Sequence, residues 1–88
     1  MVKREQVQDF LLVSMADIFM KEESYLRAHP EMRFREDLLA RSMQYFPLIN
    51  RLETEYDLNI DSPDFQNECF SIEATVDYLM CLYQQQHP

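Results

Sequence analysis

Ser42 is the residue of this 88-residue chain whose position suits covalent chemistry. It closes the passage Glu36-Asp37-Leu38-Leu39-Ala40-Arg41-Ser42-Met43, which turns from polar to apolar and delivers one serine to the start of a helical pattern. A serine there ordinarily serves as an N-cap, its hydroxyl accepting a bond from the backbone N–H of residue 44 or 45. The same place also tolerates a phosphodiester. Free N–H groups and the positive end of the helix dipole favour a phosphate at a helix start, and Arg41 adds a cation that could pair with it.

Other reactive residue types are present without the spacing that would join them. His29, Cys69, Cys81 and His87 hold the atoms of a zinc site but match no zinc-binding spacing. Glu36-Asp37 and the pair Asp61/Asp64 lack the ligand count and the glycine of a calcium loop. Cys81 reads as a small buried hydrophobe. No metal site is expected.

The composition narrows the classes further. Eighty-eight residues make one domain, 1–88, able to form a three- or four-helix core but too short for a large enclosed active site. The hydrophobic share of 47% is enough to fold without a metal or disulfide staples. No 18-residue apolar run exists, so stable membrane insertion is not expected. Lys3 and Arg4 are followed at once by Glu5, Gln6, Gln8 and Asp9, unlike a secretory leader. Two cysteines without metal-like spacing fit a reducing cytoplasm. The net charge is −8, and all eight basic residues lie at or before Arg51, while eight acidic ones follow it. Such a chain repels nucleic-acid phosphates and attracts basic protein surfaces.

The elements that must position Ser42 follow from periodicity. Residues 4–19 carry Val7, Phe10, Leu11, Ser14, Met15 and Ile18 at helical steps. Residues 20–41 lose the pattern. Lys21-Glu22-Glu23-Ser24 either extends the first helix or turns, and Pro30 stops any helix at His29. A loop this long needs anchors, expected at Tyr25, Leu26, Met32, Phe34 and Leu38. Residues 42–56 form a second helix with the stripe Met43, Phe46, Ile49, Leu52 and Tyr56, Leu48 and Tyr45 beside it, and Arg51 pairs weakly with Glu55. Pro47 either kinks this helix or sits in the first turn of one that begins near Phe46. Ser62-Pro63-Asp64-Phe65 opens a short helix with Ser62 as cap, and Leu58, Ile60, Phe65 and Phe70 anchor the surrounding connection. Ser71 caps a last helix over 71–84, with Ile72, Val76, Leu79, Met80 and Tyr83 inward and the tail Gln84–Pro88 frayed.

The order of helix, long loop, serine-headed helix, short helix and helix resembles the acyl carrier protein family. The likeness is carried by Phe34, Glu36-Asp37-Leu38, Ala40, Ser42-Met43, Leu48-Ile49, Leu52-Glu53, Glu55-Tyr56-Asp57-Leu58, Ile60 and Ala74-Thr75-Val76-Asp77-Tyr78-Leu79. It covers roughly residues 34 to 79. Leu39 stands where the family has Gly, Arg41 where an Asp precedes the serine, and Pro47 where a helix former is usual.

The resemblance implies an all-α fold: a small four-helix bundle of three longer helices and one short one, with a long loop between the first and second. It implies a monomeric carrier, not itself an enzyme, bearing 4'-phosphopantetheine on Ser42 and holding acyl intermediates as thioesters for fatty-acid, polyketide or related synthesis. Arg41 would contact the phosphate. Met43, Phe46, Pro47, Asn50 and Arg51 would meet partner enzymes, and Met43 and Phe46 would also line a groove for the acyl chain. The implied partners are a phosphopantetheinyl transferase, an acyl-loading ligase or transferase, and ketosynthase-type enzymes. Two neighbouring readings are a peptidyl carrier and a carrier-fold interaction module without the prosthetic group. A helix across residues 25–36 in place of a pinned loop would instead suit an unrelated helical adaptor.

Overall fold

The periodic stretches become helices in a computed structural model, in the order α1 (Arg4–Phe19), α2 (Glu23–Ala28), α3 (Ser42–Tyr56), α4 (Ser62–Glu68) and α5 (Ile72–Gln86). The structure describes residues 2–37 and 41–88, and of Ser42 the backbone alone. The fold is all-α, with five helices among the described residues where four were expected. Helix α1 packs against α2, α3 and α5, and α4 bridges α3 and α5. The Cα radius of gyration is 11.9 Å, against about 12 Å for a compact chain of this length. No helix among the described residues is long and apolar enough to cross a membrane.

The additional helix is α2, in the stretch read as loop. Its six residues bury a single apolar side chain, Leu26. Arg27 ties it down by pairing with Glu23 one turn earlier (2.6 Å) and with Asp9 on α1 (2.8 Å). The helix ends before Pro30, as the restriction on His29 requires. The chain from His29 to Asp37 is then non-helical and pinned. Met32 and Phe34 are buried. The Phe34 N–H donates to the Phe70 carbonyl at 2.9 Å, and the Glu73 N–H donates to the Pro30 carbonyl at 3.1 Å. Asp37 closes a turn, its carboxylate accepting from the Arg33 N–H at 2.9 Å. Tyr25 is no anchor, since it is 52% exposed; Leu38 lies outside the described residues.

The interior is built around aromatic rings. Phe19, Phe34, Tyr45, Phe65 and Tyr78 follow one another at centroid distances of 5.9–6.3 Å. Phe34, Tyr45 and Phe65 are fully buried among Leu11, Leu12, Leu48 and Leu52. Burial of such rings is the main favourable term in a domain of this size.

Several local expectations shift by a residue or a face. Asp61 caps α4, its carboxylate accepting from the Asp64 N–H, which places Ser62 and Pro63 inside the first turn. Ser71 does cap α5, accepting from the Ala74 N–H at 3.1 Å. Phe70 is half exposed, so Leu58 and Phe65 hold that region with help from Ile60. Cys69 is the buried cysteine and Cys81 the exposed one. The polar tail does not fray at Gln84: α5 runs to Gln86, whose side chain bonds Asn59. With no glycine in the chain, α1 and α3 end on Met20 and Asp57 in left-handed conformation, with φ of 58° and 52°.

Candidate functional site

Ser42 occupies the first helical position of α3, one residue inside the expected cap. The cap is Arg41, extended at φ −104° and ψ 155°. The reason lies in Gln44. Its side-chain oxygen accepts from the Arg41 N–H at 2.8 Å, while its own N–H donates to the Arg41 carbonyl at 2.9 Å. A guanidinium cannot accept hydrogen bonds, so this turn is closed by Gln44 and the Arg41 backbone, with no bond from a capping side chain. The expected Ser42 hydroxyl bond lies outside the described residues. Helix geometry gives the N–H groups of Ser42 and Met43 no intrahelical acceptor. They open toward the end of the helix, beside the exposed Arg41.

The face of α3 that follows departs from the expected core stripe at Met43 and Phe46. Met43 is 81% exposed and Phe46 55% exposed, so neither lines an interior groove. The inward stripe is Tyr45, Leu48, Ile49 and Leu52, with Tyr56 partly buried. The expected stripe holds at Ile49, Leu52 and Tyr56 and fails in the first turns, where the pairs 43/46 and 45/48 each fit the spacing and Tyr45 and Leu48, expected beside the stripe, take the inward place. Pro47 sits at the sixth position, and the helix runs through it, beginning at Ser42 and not near Phe46. The missing N–H would have served the Met43 carbonyl, on a surface turn where water can take that place.

Met43, Pro47, Asn50 and Thr54 succeed one another at steps of four, three and four, and all are exposed. They form one outward line running down from Ser42, with Phe46 and Arg51 beside it. Arg51 is held by Asp17 of α1 and not by Glu55. A shallow cleft of about 350 Å³ opens between these helices, lined by Phe10, Asn50, Arg51, Thr54 and Glu55. The sequence-predicted residues Arg41, Ser42, Met43, Phe46, Pro47, Asn50 and Arg51 are thus gathered on one end and one side of α3.

Glu53 has a different use from its acidic neighbours. Its carboxylate accepts from the Ile60 N–H at 2.9 Å and fixes the connection to α4. The signal was its place seven residues before an apolar residue in a connection without glycine, which is too general to read from sequence.

Shifted titrations mark packing and not a reacting group. Burial pushes the Cys69 thiol up to about 12, assisted by Glu68 and opposed by its hydrogen bond with Thr75. Burial does the same for Tyr56, aided by the charges of Glu55 and Asp9, and for Tyr78, each rising to about 12. Among the described residues no group of three or more His, Cys, Asp or Glu side chains is placed to hold a metal. Comparison of the chain with protein-family models, with curated proteins and with solved structures found no match.

Proposed function

We propose that this chain is a carrier protein of the acyl carrier type, bearing 4'-phosphopantetheine on Ser42. The observation that carries the reading is Ser42 at the head of the 15-residue helix α3, followed by an exposed line of Met43, Pro47 and Asn50. The N–H groups that a helix start leaves without an intrahelical acceptor and the dipole suit the phosphate, and Arg41 supplies a cation beside it. Arg41 and Met43, both exposed at this end, fit the group in charge and access. When attached, the arm supplies a thiol that holds an acyl group as a thioester.

Attachment forms a bond from the Ser42 hydroxyl oxygen to the pantetheine-linked phosphorus of coenzyme A. It breaks the pyrophosphate link, the adenosine bisphosphate departs, and the hydroxyl proton passes to the transferase. This chain contributes position and electrostatics, so it needs no general base of its own. Met43, Phe46, Pro47 and Asn50 meet the transferase and the acyl-loading and ketosynthase-type enzymes, and Arg51 flanks that face. The packed rings of Phe34, Tyr45 and Phe65 fill the interior beneath α3, which favours cargo carried outside the core.

The test is intact mass after incubation with coenzyme A and a broad-specificity phosphopantetheinyl transferase, with Ser42→Ala alongside. One added phosphopantetheine in the parent and none in the variant is expected. No addition to the folded protein, with this transferase and with the one native to its source, overturns the reading in favour of an unmodified interaction module.

A further inference from the structure

Helix α5 carries two stripes. One, with Ile72, Val76 and Leu79, is buried against the core. The other runs Ala74, Asp77, Tyr78, Cys81, Leu82 and Gln85, at steps of three, one, three, one and three. This is the spacing with which one helix receives another, and the eleven rises from Ala74 to Gln85 extend about 16 Å. With Asp64, Asn67 and Glu68 of α4 and the half-exposed Phe70, the second stripe walls a cleft of about 640 Å³. Ala74 is small enough for a backbone to approach, while Tyr78 and Leu82 offer apolar surface.

The rim of the cleft is acidic. Asp64 and Glu68 form no ion pair among the described residues, and Asp77 shares its charge with Arg4 at 2.6 Å. Arg33, over the Phe70 ring at 5.5 Å, and Arg35 share a neighbouring hollow with Asn67 and Phe70, and no Lys or Arg is among the described residues that line the cleft itself. No Lys or Arg follows Arg51. A second copy docking cleft to cleft would bring the same negative charge and be repelled. We propose that the cleft between α4 and α5 is a docking site for a basic amphipathic helix of a partner protein. Its apolar residues seat on Ala74, Tyr78 and Leu82, and its Lys or Arg residues meet Asp64 and Glu68. The site lies apart from the α3 face and does not depend on modification of Ser42.

The test is an amide-shift titration of the full chain with a synthetic helical peptide of three to four turns, Leu along one face and Lys on its flanks. An otherwise equal peptide with Glu on the flanks is the comparison. Shifts centred on Asn67, Ala74, Tyr78 and Leu82 are expected. Glu68→Lys, which places a favourable charge in the last turn of α4, should weaken binding at least about tenfold. Capping Cys81 with N-ethylmaleimide should weaken it similarly by filling the cleft. Glu55→Lys, the same charge change on α3, should leave the affinity within about twofold. Equal weakening by Glu55→Lys, shifts spread over α1 and α3, equal binding of the Glu peptide, or no binding overturns the proposal.

Discussion

Gln86 and Asn59 exchange two hydrogen bonds of 2.8 Å each, side-chain amide to backbone N–H and C=O. The clip joins the last turn of α5 to the α3–α4 connection, 27 residues away in sequence. His87 reinforces it by stacking on Tyr83 at 4.4 Å and bonding the Asp57 carbonyl at 2.9 Å. Gln86→Ala should cost about 1 kcal/mol by urea unfolding. The Asn59 amide, protected in the parent, should then exchange readily.

The two thiols should separate cleanly. Cys81 is exposed and Cys69 buried. An alkylating reagent should therefore add once to the folded protein, at Cys81, and a second time only in denaturant. Peptide mass mapping checks the site. Two additions to the native protein would place Cys69 at the surface and contradict the packing of α4 on α5.

Stability should be level from neutral pH to about 8 and fall above it. Cys69, Tyr56 and Tyr78 hold their protons to about 12 in the fold, whereas unfolded thiols and phenols ionise from about 8.5 to 10. Between those limits the folded state binds more protons than the unfolded state, so rising pH favours unfolding. Fully buried Cys69 contributes on the order of 1 kcal/mol per pH unit in that window. Urea midpoints at pH 7, 9 and 10.5 check the shape, and Cys69→Ala should flatten the onset.

Phe34 touches both Phe19 and Tyr45 and has no exposed surface. Phe34→Ala should cost about 3–5 kcal/mol, a large share of the stability of a domain this size. In contrast, Met20→Gly should raise the thermal midpoint, relieving a left-handed position worth about 1 kcal/mol. Thermal unfolding monitored by circular dichroism checks both. A Phe34→Ala protein as stable as the parent would mean that the loop is not part of the core.

Much of this arrangement is legible in the residue order. The period of α1 and α5, the Ser71 cap and the stop at Pro30 each have a local cause within a few residues. The reading fails where the cause is distant. Helix α2 buries only Leu26 and owes its place to Asp9 on α1, so it has no period to detect. Met43 and Phe46 point outward because Tyr45 and Leu48 win the inward phase through Phe34 and Phe65. Arg51 takes Asp17 and leaves its helical neighbour Glu55. The cleft between α4 and α5 is invisible in one dimension because its α5 side lies within an already amphipathic helix.

The segment leading to Ser42 is stitched to α5 through the main chain, by Phe34 N–H to Phe70 and Glu73 N–H to Pro30. Main-chain bonds are indifferent to side-chain identity. Glu73 and Phe70 can therefore be replaced over generations without moving the approach to the serine. Proline alone, having no N–H, is barred from positions 34 and 73 on this account. The stretch from Pro30 to Phe34 is thus insulated from sequence drift, while the exposed faces of α3 and α5 are left free to diverge.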